Sequence, residues 1–427
     1  MAVDTPATIA ILGAGPIGLE AALYARFLGY QVAVYERGTI AANVLRWGHV
    51  KLFSPFGMNR SPLGVNALRA QHENYALPDD DALLTGEEYA RRYLYPLSQT
   101  DLLGDAIHER TTVVATGRHD WLKTDFPDRA ARRDGAFRLL LRDGDGQERI
   151  ADADVVIDAT GTYGNHGWAG QGGIPAPGER AAANCIRYDL PDVLGADRQQ
   201  FEGKQTMVVG AGYSAATNVV ALAELARANR ATKVFWVTRH NVPDGTGPIK
   251  RIDGDRLGER DRIAEAANQL AVLPDGPIAH FSGANIAQIA PNSGGGLVTT
   301  IAGEITEKIV VDRIVANVGY GIDRTLFAEL QLQQCHVTDG PIKLAAKLLG
   351  DESGDCLDQQ SPRAESLTTS EPDFYILGSK SYGRDSRFLI SIGLEQIRNL
   401  FTIVGDRADL DLYVTDSDLI HTPAPEP

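Results

Sequence analysis

The stretch Thr8–Glu36, TIAILGAGPIGLEAALYARFLGYQVAVYE, decides the fold. Ile9–Leu12 is a short apolar run of the kind that forms a strand buried on both faces. Gly13, Gly15 and Gly18 follow with the spacing G-x-G-x-x-G. The first can take a tight turn, the second lets a pyrophosphate approach the backbone, and the third lets a helix pack closely on the strand. Pro16 and Ile17 complete the turn into a helix over Leu19–Leu28, whose free N–H groups and positive dipole end face the same point. Gly29 stops that helix, Gln31–Tyr35 reads as the second strand, and Glu36 ends it. A carboxylate there can accept hydrogen bonds from both hydroxyls of an adenosine ribose. G-x-G-x-x-G alone is weak evidence, but here every flanking element stands where a dinucleotide needs it.

The totals bound the rest. A chain of 427 residues allows two or three domains and a sizeable core. The net charge of −15 argues against a nucleic-acid surface. Cys185, Cys335 and Cys356 are far apart and form no C-x-x-C, so neither a disulfide framework nor a redox-active dithiol is expected. No 18-residue apolar run and no basic leader appears, which points to a soluble, cytoplasmic protein without a membrane or nucleic-acid partner. No metal cluster and no Ser-His-Asp set is found.

After Glu36 and Arg37 the pattern becomes irregular. Trp47–Asn59, WGHVKLFSPFGMN, is an aromatic loop, and it offers Trp47, Phe53 and Ser54 as candidates for a substrate pocket. Thr85–Leu97 begins with an N-cap and two acids and continues with helical spacing. Short β segments at Thr111–Ala115, Ala136–Arg142 and Arg149–Ile150, with DGDG as a hairpin turn, form a meander. A strand over Asp154–Asp158 then runs into Ala159-Thr160-Gly161, a small-residue turn that admits a nucleotide to the backbone. Gly161–Gly178 reads as a linker.

The strand–glycine–helix unit then recurs. Thr206–Val209 is a strand, Gly210-Ala211-Gly212-Tyr213-Ser214-Ala215 is G-x-G-x-x-A, Ala216–Arg227 is an Ala-rich helix, and Lys233–Val237 is the next strand. Two such units imply two dinucleotides. Where Glu36 ends the first unit, Thr238-Arg239-His240 ends the second. A carboxylate would repel a 2′-phosphate and an arginine would pair with it, so the second site is assigned to NADP, with NAD as the alternative. Further on, Asp255–Ala271 reads as an exposed helix, and His280–Thr300 as strand, turn and strand. Val310–Tyr320 reads as a strand ending at Gly319, and Leu344–Ser370 as a polar surface loop or a partly disordered segment. Asp373–Leu377 is a strand followed by Gly378 and Ser379, Phe388–Val404 is a helix, and Thr422–Pro427 is a disordered tail.

The motif order GAGPIG, DATG, GAGYSA, ANVGY, YILGSK resembles the two-dinucleotide-binding-domain flavoproteins. The resemblance implies an α/β fold of two Rossmann-like doubly wound domains, the second inserted into the first. Residues 1–165 plus 325–427 would bind FAD and 166–324 would bind NADP. It implies FAD on Gly13, Gly15, Pro16, Ile17, Gly18, Glu36 and Arg37, with the isoalloxazine near Thr160, Gly161, Gly378 and Ser379. It implies the nicotinamide cofactor on Gly210, Gly212, Tyr213, Ser214, Ala215, Arg239 and Gly319. Within the superfamily the aromatic loop, EEYARRYLYPL and ANVGY are most similar to flavin-containing monooxygenases, and Asn59 matches that family's asparagine on the oxygen-reacting side of the flavin. The fingerprint F-x-G-x-x-x-H-x-x-x-Y/F is missing, with only Tyr188 in a comparable place, and Ser379 stands where the superfamily often has Asp.

The resemblance implies an NADPH-dependent flavin monooxygenase acting with molecular oxygen on a small organic substrate. The alternative is a FAD- and NAD(P)H-dependent reductase or dehydrogenase without a dithiol; a flavin-bound sensor is a third reading. Such flavoproteins are often homodimers.

Overall fold

The protein is described from a computed structural model covering residues 3–125, 129–242, 246–351, 355–359 and 362–414. In chain order the strands are β1 (Thr8–Leu12), β2 (Gln31–Tyr35), β3 (Ile107–His108), β4 (Thr112–Arg118), β5 (Phe137–Arg142), β6 (Glu148–Ala153), β7 (Val155–Asp158), β8 (Ile186–Arg187), β9 (Gln205–Val209), β10 (Lys233–Val237), β11 (Ile278–Phe281), β12 (Asn285–Pro291), β13 (Leu297–Ala302), β14 (Thr306–Val311), β15 (Arg313–Ala316) and β16 (Phe374–Ile376). Four longer helices matter here: α1 (Pro16–Phe27), α2 (Tyr213–Ala228), α3 (Gly258–Val272) and α4 (Ile390–Val404). The chain forms two compact units, one from residues 1–48, 54–162 and 321–427, the other from 49–53 and 163–320. His49–Phe53 joins the second unit.

The first unit is built on a parallel sheet in the order β16-β7-β1-β2-β3. Ile9 pairs with Val32 on one side and Val155 on the other. β1 and β7 are apolar because helices and the β4-β5-β6 meander cover both faces, which leaves no polar side to alternate with. The core gathers Ala10, Leu12, Val156, Phe374 and Ile376 against Phe137, Leu139 and Leu141 of the meander. α1 is buried nearly all round, and Tyr24 stacks on Phe401 of α4 at 5.0 Å.

The second unit repeats the plan with the order β11-β10-β9-β15-β8, again parallel. An antiparallel sheet, β12-β13-β14, packs on it through Ile286, Ile289, Leu297, Ile301 and Val311. The other face carries α2 and α3, whose Ala216, Val219, Leu222, Ala264 and Ala267 close over Val208 and Trp236.

Some elements differ from the sequence reading. Val310–Tyr320 is not one strand: β14 ends at Val311, the chain breaks at Asp312, whose side chain accepts a hydrogen bond from Gln205 N at 2.7 Å, and β15 ends at Ala316, short of Gly319. Leu344–Ser370 is not a loop throughout. Ile342–Leu349 is a helix with Leu344, Ala345 and Leu348 buried, so its amphipathic face is what orders it. Thr85–Ser98 is helical with a capping box from Thr85 and Glu88, but its middle, Ala90–Leu94, is a π-helical turn. The tail Thr422–Pro427 lies outside the described residues. Among them, no helix is long and apolar enough to cross a membrane.

Candidate dinucleotide sites

In the first unit the site grows from the end of β1. Gly13 has φ +98°, which favours glycine, and a side chain there would press on Ala159 O at 2.9 Å. A side chain on Gly18 would collide with the Gly13 carbonyl, so helix and turn touch here as the spacing predicts. Gly15 is the N-cap of α1, with Pro16 in the first turn. A side chain on Gly15 would meet nothing within 4 Å. The turn is therefore packed at Gly13 and Gly18 and open at Gly15, the shape a pyrophosphate at a helix N-terminus needs.

Glu36 is half-buried at the end of β2. Its Oε2 accepts from Ala14 N at 2.9 Å and its Oε1 from Gly38 N at 2.8 Å. Both oxygens keep lone pairs for ribose hydroxyls. Arg37 is exposed beside it. On the other side of β1, Thr160 and Gly161 follow β7, and Gly378 and Ser379 follow β16. These two turns meet: a side chain on Gly161 would lie 3.4 Å from Ser379 Oγ. Ile17 of α1 packs against Gly378, whose N–H donates to Gln396 Oε1 of α4 at 2.9 Å. The residues expected around FAD thus converge in one unit, and the open glycine turn, the carboxylate and the small-residue turns fit that group. Gln396, buried and bonded to both Gly378 and Ser381, was missed because its signal is one amide on an otherwise apolar helix face.

The aromatic loop divides between the units. Trp47 packs against the helix opened by Thr85, with its ring 2.7 Å from where a Gly86 side chain would stand. Ser54 and Asn59 are buried and bonded to each other: Ser54 Oγ donates to Asn59 Oδ1 at 2.9 Å, and Asn59 Nδ2 donates to Ser54 O at 3.0 Å and Pro55 O at 3.1 Å. The Asn59 amide holds its own loop in this conformation. Phe53 belongs to the second unit, edge-on to Tyr213 at 5.8 Å.

The second site follows the same plan with different chemistry at its end. Gly210 has φ +129°, and a side chain on it would collide with Asn317 O. Gly212, the N-cap of α2, faces open space as Gly15 does. Ala215 is buried where the first unit has Gly18. Tyr213 and Ser214 form the first turn of α2. Asn317 accepts from Asn218 Nδ2 at 2.8 Å, and Gly319 opens the turn after β15 with φ +84°. Arg239 is exposed at the end of β10, its Nε donating to His240 Nε2 at 3.0 Å. Beside it is a cleft of about 230 Å³ lined by Ala211, Thr238, His240, Asn241, Thr246 and Lys250. Thr238 Oγ1 bonds His280 Nε2 at 2.9 Å, and burial pushes the pKa of His280 below its ordinary value. Lys250, which sequence reasoning did not single out, reaches the cleft from a separate loop.

Comparison with known proteins agrees with the fold. No protein-family model matches the chain. No curated protein matches it. Solved structures do. Bacillithiol disulfide reductase Bdr (YpdA) from Bacillus cereus matches with TM-score 0.64 at 17% identity over 94% of this chain and 99% of that one. The cadaverine monooxygenase DfoA from Erwinia amylovora, solved with FAD, matches with TM-score 0.61 at 13% identity over 95% of each chain. Lactococcus lactis thioredoxin reductase matches with TM-score 0.55 at 15% identity over 94% of this chain and 98% of that one. The fold, two Rossmann-like parallel-sheet units in one chain, is shared with these solved structures. Reductases and monooxygenases both appear among these neighbours, at identities that speak for the fold alone.

Proposed function

We propose that this chain is an FAD-dependent oxidoreductase reduced by NADPH, and that within this class it is a monooxygenase of a small organic substrate. The observation that carries the cofactor reading is the contrast between the two units. Both have an open glycine N-cap at the end of a central strand, but one is followed by the carboxylate of Glu36 and the other by the guanidinium of Arg239. Glu36 accepts from ribose hydroxyls and excludes a 2′-phosphate. Arg239, with Lys250 on the cleft wall, attracts one.

Bound FAD would supply the redox chemistry, accepting a hydride from reduced nicotinamide and passing electrons to oxygen. The protein holds and shields it. The N-termini of α1 and α2 receive the two pyrophosphates, and the turns at Gly161 and Ser379 receive the flavin end. Gly319 and Asn317 lie at the strand end that would receive the nicotinamide end. The finer reading is supported by the sequence positions of Cys185, Cys335 and Cys356, which are far apart along the chain and form no C-x-x-C, so the redox-active pair of a dithiol-type reductase is not expected.

The experiment is anaerobic stopped-flow reduction with NADPH followed by mixing with oxygen. A long-lived oxygenated flavin absorbance supports the monooxygenase. Reduction followed by immediate return to oxidised flavin refutes it in favour of a reductase. No reduction by either nicotinamide refutes both.

A further inference from the structure

Lys380 is fully buried, yet it is a lysine. Its Nζ donates to Asp158 Oδ2 at 2.7 Å and to Thr160 Oγ1 at 3.0 Å. Asp158, also fully buried, accepts through Oδ1 from Thr160 Oγ1 at 2.7 Å and from Thr160 N at 3.1 Å. Lys380, Asp158 and Thr160 therefore close a ring of hydrogen bonds. The ammonium also lies 5.3 Å from the centre of the Phe327 ring, a cation–π contact on its remaining side.

Such a pair is poor value for stability. Desolvating two charges costs several kcal/mol, and a hydrophobic replacement of both is often neutral or better. Its position suggests another use. Asp158 ends β7 and Lys380 follows β16, so the ring ties two strand ends. Those ends carry the Gly161 turn and the Gly378-Ser379 turn, which approach each other at Ser379 Oγ. Ala159, next to Asp158, packs on Gly13 of the open glycine turn. A bare carboxylate here would oppose an anionic pyrophosphate; the ammonium cancels it.

We propose that Lys380 is a positioning residue of the flavin site, which fixes the gap between the two turns and neutralises Asp158. This rests on the FAD reading given above. Lys380 touches no reacting atom in the proposal; it acts through Asp158, Thr160 and Ser379.

The test is equilibrium titration of apoprotein with FAD, followed by flavin fluorescence, alongside thermal unfolding of the same apoproteins. Lys380→Met leaves Asp158 buried without a cation and should lower the apoprotein unfolding temperature. The double variant Lys380→Met, Asp158→Asn removes that penalty and should unfold near the wild-type temperature, yet bind FAD about tenfold more weakly, because the tie between the turns is gone. If Lys380→Met fails to fold, the double variant decides alone. A double variant that binds FAD as tightly as wild type overturns the inference and leaves the FAD reading standing. Wild-type apoprotein that takes up no FAD overturns that reading, and this inference with it.

Discussion

Glu36 and Arg239 stand at equivalent strand ends and carry opposite charge. That contrast was readable from sequence because both residues lie within two positions of the end of the second strand of their unit, Glu36 directly after β2 and Arg239 second after β10, where the motif and not distant packing sets their place. Arg239→Ala should therefore weaken NADPH roughly 10- to 100-fold, the loss of a charge-assisted contact of about 1.5–3 kcal/mol, and leave NADH almost unchanged. Equal loss for both cofactors in inhibition or KM measurements would contradict the assignment. Glu20 was not readable. It follows the glycine motif on α1 and looks like any helix-surface acid, but the fold buries it beside Ser61 and Tyr413, with Tyr24, Tyr89 and Tyr93 near, and leaves its Oε1 without a hydrogen bond among the described residues. Burial pushes its pKa from 4.5 up to about 7. A carboxyl whose pKa is raised on folding stabilises fully below its unfolded pKa and loses that contribution as pH rises through the folded one. Glu20→Gln should thus raise stability at pH 8 by up to about 3 kcal/mol, with the gain disappearing toward pH 4. A gain that is the same at both pH values in denaturant melts would sink this account.

Elements with long apolar periods were legible, and those set by contacts were not. α1, α2, α4 and the central strands follow their sequence patterns closely. The two-residue strands β3 and β8, the break at Asp312 and the helix Ile342–Leu349 depend on what lies beside them, so no local pattern marks them. The glycine turn shows the division within one element. Gly18 is filled by backbone and Gly15 by nothing. Gly18→Ala should force the turn and α1 apart, cost on the order of 2 kcal/mol of stability and lower FAD occupancy as a consequence. Gly15→Ala should change the melting temperature of the apoprotein little and still reduce FAD binding, since its side chain enters the space left for the pyrophosphate. Circular-dichroism melts beside FAD titrations separate the two. Equal behaviour of both variants would mean the open and packed glycines do not have different tasks.

At the scale of the whole molecule, the first unit is assembled from segments far apart in sequence, and buried charges hold them. Glu371 lies fully buried between two guanidiniums, Arg118 Nε at 2.9 Å and Arg132 Nε and Nη2, each at 2.9 Å. Arg133 holds Asp373 in the same way, at 2.8 and 3.0 Å. These contacts join the β4-β5-β6 meander to the approach to β16 across more than 230 residues, a pairing no sequence period could show. Burial alone would raise the pKa of Glu371, but the hydrogen bonds from Arg132, Gln331 N and Arg118 hold it below its ordinary value. The carboxylate's contribution is present above pH 4.5, its unfolded range, and is lost as pH falls toward the folded value. Glu371→Gln should leave two buried guanidiniums without their counter-charge and cost about 3–5 kcal/mol. Because every partner lies in the first unit, hydrogen exchange should accelerate in β4, β5 and β16 while β9, β10 and α2 keep their protection. Uniform loss of protection along the chain would contradict this, and so would a variant as stable as wild type at pH 7. If β4, β5 and β16 alone loosen, FAD binding should fall with them, because β16 carries the Gly378 turn, whereas NADPH binding by the second unit should hold.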